Sequence, residues 1–351
     1  MNISSPRLAY KYRSGDSETL ERDLQTLRDA TFYAAKRDKL NDPFEGRFNR
    51  TELDAQLKAL CCMVAKEFPK ISGSVDGLSE AVNEALSFVD TSGVFSLSCS
   101  PLSELVWAHY GGSHRGFCVG YDLQKLTEFE PNSHYCFDVQ YHCIPPTLRS
   151  KDLIGLENPL AILQALLGVK SKPWLYEDEV RVVTSPQGTH EHDYRAVKRV
   201  YFGLRCPEST QLAVMEALAG RGVMYEQIES PDNSYALQSR SIQDAFASAP
   251  KYRVNFAPIQ DGAIYPDGLN PDQMQHCAYL YKAAEIVRRD PYCHEITNVD
   301  FSVNKSTHEL PVIYVQYLRG PDKRSKQYLT LSEIDKQYAD LGLAENVASL
   351  N

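Results

Sequence analysis

The stretch Trp174-Leu175-Tyr176-Glu177-Asp178-Glu179-Val180-Arg181-Val182-Val183-Thr184 sets three successive acids directly before an apolar, β-branched run. Valine and threonine fit a pleated, packed surface, so Glu179 to Thr184 reads as a strand that Glu177 and Glu179 enter on one face. Adjacent carboxylates repel one another, and placing them here costs stability unless cations or a ligand compensate. Arg181 is the nearest candidate partner. A strand-borne Glu-x-Glu also suits a second task, holding an oxocarbenium-like centre and orienting a nucleophile against it.

Working outward, the same chain offers further strands of alternating character: Leu8 to Ser14, Thr31 to Ala35, Val94 to Cys99, Gly116 to Asp122, Phe137 to Tyr141 and Val197 to Leu204. Apolar residues at helical spacing predict helices over Thr19–Asp29, Glu52–Phe68, Gly77–Val89, Leu102–Tyr110, Pro159–Val169 and Gln211–Gly220. Asn41-Asp42-Pro43-Phe44-Glu45-Gly46 has the composition of a turn. These elements predict an α+β core over residues 1–229, a mixed, mostly antiparallel sheet with flanking helices. Residues 230–267, rich in Pro, Gly, Ser and Asn, read as an irregular connection. Residues 268–351 read as a small α-β-β-α module: a helix over Pro271–Arg289, strands over Ile296–Val303 and Pro311–Arg319, and a helix over Thr330–Leu343.

Composition narrows the function. The 351 residues are 43% hydrophobic and 24% charged, with a formal net charge of −9. An acidic balance disfavours a broad nucleic-acid surface, which needs Lys or Arg at each phosphate, though a local basic site stays open. There is no apolar run of spanning length and no signal-like start, so a cytoplasmic protein without membrane contact is expected. Nine cysteines, an odd number, fit free thiols in a reducing compartment.

Four polar clusters are candidate sites. Lys11-Tyr12-Arg13-Ser14 offers cations and a stacking ring on the first strand. Ser96 and Ser98 place two hydroxyls on one face of a strand. Trp107-Ala108-His109-Tyr110-Gly111-Gly112-Ser113-His114-Arg115-Gly116-Phe117 joins aromatics, histidines and glycines that let a ligand approach the backbone. Lys172 to Arg181 holds the acids described above. His190, His192, Cys136, His142 and Cys143 are conceivable metal ligands, yet they lack zinc spacing, so no metal is expected. Walker, Gly-x-Gly-x-x-Gly, Gly-x-Ser-x-Gly and His-Glu-x-x-His motifs are missing.

Taken together, Tyr10-Lys11-Tyr12-Arg13, Asn41 to Gly46, Ser96-Leu97-Ser98, Trp107-Ala108-His109-Tyr110, His114-Arg115-Gly116-Phe117 and Trp174-x-Tyr176-Glu177-x-Glu179-x-Arg181 resemble a widespread bacterial domain-of-unknown-function family over residues 8–205. The order of Arg, Ser-x-Ser and Glu-x-Glu is also similar to the Arg–Ser–Glu class of ADP-ribosyltransferases. That resemblance implies NAD as substrate and a fold of that class. By it, Arg13 contacts the NAD phosphates, Ser96 and Ser98 support the pocket, and Glu179 is the catalytic residue that binds the nicotinamide ribose and stabilises the oxocarbenium-like transition state, with Glu177 facing the acceptor. Lys11, Tyr12, His109, Tyr110, His114 and Phe117 would complete the nucleotide site. A toxin or antiphage effector is implied, acting on an acceptor macromolecule and met by a neutralising or effector protein. Two alternatives stay open. One is a non-catalytic nucleotide-sensing or protein-binding module built on His109, His114 and Arg115. The other is a metal-dependent nuclease using Asp42, Glu45, Glu177 and Glu179 with Lys172.

Overall fold

The alternation around Glu179 finds its partners in a ten-stranded, mostly antiparallel sheet. The computed structural model describes residues 7–49, 51–52, 54–56, 58–59, 87–147, 163–164, 166–307 and 309–343. The chain divides into two compact units, Met1–Pro250 and Lys251–Asn351. In chain order the first unit contains β1 (Leu8–Arg13), α1 (Leu20–Asp29), β2 (Thr31–Lys36), β3 (Gly93–Ser98), α2 (Glu104–Tyr110), β4 (Phe117–Asp122), α3 (Leu123–Thr127), β5 (His134–Asp138), β6 (Gln140–His142), β7 (Val169–Ser171), β8 (Glu179–Thr184), β9 (Gly188–Glu191), β10 (Val197–Phe202), α4 (Glu208–Ala217), β11 (Met224–Glu229) and β12 (Gln238–Ile242). The strand order is β12-β11-β10-β4-β1-β3-β2-β9, with β8 on β3 and β5 on β8. β10 and β11 run parallel, and the other ladders of this sheet are antiparallel.

One irregularity shapes the site. β8 pairs with β3 along its whole length, from Gly93↔Thr184 to Ser98↔Glu179. The opposite edge of β3 is shared: β1 meets it at Tyr10↔Ser98 and β2 at Ala35↔Val94 and Lys36↔Gly93. Between those contacts the two strands part, and the middle of β3 faces a gap in the sheet.

Side chains directly opposite in an antiparallel pair share a face. One face of the sheet carries Phe95, Leu97, Val119, Val180, Val182, Val200 and Phe202, which pack with Leu24 and Leu27 of α1 and Val214 and Met215 of α4. The spacing of Leu20, Leu24 and Leu27 makes α1 amphipathic, and Ala30 in the left-handed region ends it, its N–H bonding the Leu27 carbonyl. The other face carries two smaller clusters. Tyr12, Val106, Trp107, Cys118 and Tyr201 form one; Val94, Phe137, Leu163, Leu166, Leu167 and Val183 form the other. Ser96, Ser98, Glu179 and Arg181 lie on this face between them.

Several expected boundaries move. The expected strand Phe137–Tyr141 is two strands in different sheets, with β6 pairing β7. Val169 belongs to β7 rather than to a helix, and the expected helix start at Pro159 lies outside the described residues. The expected helices Glu52–Phe68 and Gly77–Val89 also lie mostly outside them. The connection expected over 230–267 is only partly irregular, because Gln238–Ile242 is an edge strand on β11. Its sequence, Gln-Ser-Arg-Ser-Ile, is almost wholly exposed and so carries no apolar alternation to read.

The second unit contains α5 (Pro271–Met274), α6 (Cys277–Val287), β13 (Glu295–Phe301), β14 (Val312–Leu318), β15 (Arg324–Thr330) and α7 (Leu331–Asp340). The single helix expected over Pro271–Arg289 is broken at Gln275-His276. The expected α-β-β-α module has a third strand, β15, and the three form an antiparallel sheet in the order β13-β14-β15. β15, Arg-Ser-Lys-Gln-Tyr-Leu-Thr, is a charged edge strand, the kind that resists edge-to-edge pairing and hides from a hydrophobicity scan. Ile296, Val299, Ile313, Val315, Tyr317 and Leu329 face Leu280, Ala283, Ala284, Val287 and Ile334 of the two helices.

Trp107 is wholly buried, meets the Tyr12 ring edge-on at 5.0 Å and donates its indole N–H to the Pro101 carbonyl at 2.8 Å. Trp107→Ala should destabilise the first unit by about 3–5 kcal/mol, whereas Leu105→Ala, on the exposed side of the same helix, should cost under about 0.5 kcal/mol. Denaturant midpoints of the two variants check this.

Candidate active site

The gap beside β3 opens into a cavity of about 290 Å³. Its lining brings together Lys11, Tyr12, Ser96, Ser98, Tyr110, Glu177 and Glu179, seven of the residues singled out in the sequence. Arg181, Lys170 and Glu45 also line it, with Tyr10, Tyr33 and Asn41.

At its centre Arg181 is fully buried. Its Nε and one terminal nitrogen donate to the two oxygens of Glu179, at 2.8 and 3.1 Å. The terminal nitrogens also donate to both oxygens of Glu45, at 2.5 and 2.8 Å, and one of them donates to the Leu167 carbonyl. The planar guanidinium suits two carboxylates at once. Glu45 reaches it because the turn from Asn41 to Gly46 is held by Asp42, whose carboxylate accepts the Phe44 N–H at 2.9 Å, and closed by Gly46 at φ 65°.

Lys170 is the second cation. It sits on β7 with its ammonium over the Trp174 ring at 4.8 Å, and donates to Glu179 at 3.1 Å and to Glu177 at close range. Glu177, buried at the end of the 3₁₀ turn Lys172–Glu177, also accepts the Tyr110 hydroxyl at 2.5 Å. Of the three successive acids, Glu177 and Glu179 are buried here and Asp178 is exposed, and the cation the buried pair needs is supplied twice. Burial would raise the Glu179 carboxyl, but Arg181, Lys170 and the Ser96 hydroxyl outweigh it and hold the group down at about 2. Burial would likewise lower Lys170, and Glu179 and Glu177 reverse that shift, raising it.

Lys11 enters from the other side of the gap. Its ammonium donates to the Ser96 carbonyl at 2.9 Å and lies 5.0 Å from the Phe95 ring centre. Burial and the neighbouring Arg13 charge bring its pKa down to about 8, against the pull of Glu179, Asp23 and Glu177.

The remaining candidates sit elsewhere. Arg13 donates to the buried Asp23 of α1 at 3.2 Å and is not among the lining residues. Phe117 is fully buried in the core beneath α1 and α4. His114 stacks on Trp107 at 6.0 Å, and burial lowers its pKa. His109 is exposed and leans on Tyr176 at 5.7 Å. The glycines of this cluster serve the chain itself: a Cβ on Gly116 would lie 1.9 Å from the Arg13 carbonyl, and one on Gly112 2.2 Å from that of Ser14. They let the end of β1 cross the turn.

The metal-ligand candidates are engaged in packing or exposed. His190 and His134 meet at 3.3 Å and His190 stacks on Phe32, His192 bonds its own neighbour's carbonyl, and Cys136 and Cys143 are exposed. Among the described residues no group of three or more His, Cys, Asp or Glu side chains is arranged to hold a metal ion. Lys172, exposed, lies outside the cavity lining. No helix of the described residues is long and apolar enough to cross a membrane.

Lys170 and Tyr141 were not candidates from sequence. Lys170 had a readable signal, since three acids need nearby cations and both Lys170 and Lys172 were close. What separates them is where the short strand ends: Lys170 lies within β7, whereas Lys172 begins the 3₁₀ turn. Tyr141, whose hydroxyl accepts the Glu179 N–H at 2.8 Å, had none.

Residues 106–182 match a family described as protein of unknown function (DUF2971). The match runs from α2 through β8 and so includes Tyr110, Lys170, Glu177, Glu179 and Arg181. No curated protein and no solved structure matches the chain.

Removing one partner of a buried, hydrogen-bonded ion cluster leaves the others uncompensated. Arg181→Met should therefore destabilise the first unit by about 3–5 kcal/mol, read as a fall in denaturant midpoint. A second expectation concerns pH. The Glu179 carboxyl lies near 2 in the folded chain against an ordinary value of 4.5, so its contribution is complete above 4.5 and is lost as pH falls towards 2. That contribution is on the order of 3 kcal/mol. Glu179→Gln should flatten the acid limb of a stability–pH profile between those values.

Proposed function

We propose that the cavity binds the ribosyl–nicotinamide end of an NAD-type dinucleotide and cleaves the bond between the two. The observation that carries this reading is the convergence of Ser96, Ser98, Glu177 and Glu179 with Lys11 and four tyrosines, Tyr10, Tyr12, Tyr33 and Tyr110, in one cavity. Its volume falls at the lower end of small-molecule sites and suits a nucleoside-sized portion of the ligand. The rest of a dinucleotide would lie at the mouth, where Lys39 is exposed.

In this reading the C–N bond to nicotinamide breaks, its electron pair leaves with the ring nitrogen, and positive charge develops on the ribose. Fixed carboxylates beside that carbon stabilise the charge without reorganising. Glu179, held ionised by Arg181, Lys170 and Ser96, occupies that role. Glu177 faces the acceptor and takes its proton as the new bond to ribose forms. Tyrosine rings stack the planar base. On β1 the phosphate contact falls to Lys11, because Arg13 is engaged by Asp23.

A second reading has its own observation. Both oxygens of Glu179 already accept from Arg181, and Lys170 adds a third donor. A carboxylate so neutralised favours a site that binds the nucleotide without turnover, as a sensor does.

Radiolabelled NAD separates the two. Under the transferase reading wild type releases nicotinamide, and Glu179→Gln lowers that rate by roughly 10²–10³-fold while calorimetric affinity changes far less. Binding without release supports the sensor. If NAD neither binds nor reacts, both readings fail.

A further inference from the structure

The second unit has a sheet face that its helices leave open. α6 and α7 cover the side carrying Ile313, Val315, Tyr317 and Leu329. The register puts Tyr314 opposite Tyr328, Gln316 opposite Lys326 and Leu318 opposite Arg324 on the other side. Tyr328 is 39% exposed, and Lys326 and Arg324 are exposed as well. The two rings are 6.3 Å apart. Lys305 lies 3.5 Å from the Tyr328 ring centre and Lys326 5.2 Å from that of Tyr314. Asn298 donates to the Tyr314 hydroxyl at 2.7 Å and fixes that ring's attitude.

Arg324, Lys326 and Tyr328 thus follow one another on the outward side of edge strand β15, spaced by about 7 Å at two residues per repeat. Asp300 and Glu295 lie on β13, two strands from β15, with Asp300 directly opposite Tyr314 and Glu295 opposite Leu318. Charge therefore runs from acidic at β13 to basic at β15; Tyr328 lies on the basic edge, and Tyr314 lies on the central strand between Asp300 and Tyr328. Stacking rings next to a track of cations is the chemistry by which proteins hold single-stranded nucleic acid: every base offers a π-face and every phosphate a charge. A duplex stacks its bases inward and offers none to such rings.

We propose that this face binds single-stranded nucleic acid along β14 and β15. The surface is narrow, in keeping with the acidic balance of the whole chain. It is independent of the NAD reading, since no cavity residue takes part.

The test uses the full-length protein and a fluorescein-labelled oligouridylate and oligothymidylate, with fluorescence anisotropy over a salt series. Binding should weaken as salt rises. Tyr328→Ala and Lys326→Glu should each weaken it about tenfold, while Tyr328→Phe, which keeps the ring, stays near wild type. Glu179→Gln should bind as wild type does. All four substitutions are checked for folding by circular dichroism. Lack of binding at low salt, unchanged affinity in folded Tyr328→Ala and Lys326→Glu, equal affinity for a duplex of the same length, or loss of binding in folded Glu179→Gln would each overturn the assignment.

Discussion

A fully buried guanidinium carries the first unit's site. Arg181 has no solvent to share its charge with, so its five N–H groups must find acceptors inside the protein. They find Glu179 on its own strand, Glu45 on a distant turn and the Leu167 carbonyl at the end of a helical segment. Three parts of the chain, the first more than a hundred residues before the other two, are tied at one ion. Glu45 and Glu179 would each be unaffordable in that position alone. Together with Arg181 and Lys170 they form a cluster in which every charge is answered.

The cluster needs a place, and the parting of β1 and β2 makes one. A continuous ladder on β3 would have closed the gap with backbone hydrogen bonds. Because the two strands diverge, the Ser96 carbonyl is met by the Lys11 ammonium instead. The same divergence explains why Lys11, whose cross-strand partner Val119 faces the α1 side, reaches a cavity on the opposite face. Arg13, one repeat further along β1, is caught by Asp23 before it can do the same.

The sequence made the central strands legible because each alternates apolar residues over several positions: β1, β3, β4, β8 and β10 were read within a residue or two. It left β7, β9, β11, β12 and β15 unread. β7, β9, β12 and β15 are short, polar or at an edge, and the internal β11 hides because its adjacent Tyr225 and Glu226 are both buried and break the apolar alternation. The glycine-rich turn before β4 misled for a different reason. Gly112 and Gly116 do allow a close approach of backbone, as expected, but what approaches is the chain's own Arg13-Ser14 segment rather than a ligand. His114 and Phe117 consequently pack, and only Tyr110 of that cluster lines the cavity. The acids at Glu177 and Glu179 were readable as a cost, and Arg181 as the nearest partner. That Glu45 would join them was not, because nothing local in Asn41 to Gly46 says where the turn lands.

The open part of the site follows from this electrostatic balance. Glu179 holds its charge through neutral pH and far below it, yet its oxygens are largely spoken for by Arg181 and Lys170. Glu177 has fewer partners, the Lys170 ammonium and the Tyr110 hydroxyl. Any chemistry that needs a carboxylate to gain or lose a hydrogen bond during the reaction therefore falls more easily on Glu177. Glu179 is better suited to a constant field. Under the proposed function, the division between the two acids follows from which of them Arg181 reaches, and that is a consequence of strand alternation: Glu179 and Arg181 share a face of β8, and Glu177 precedes the strand.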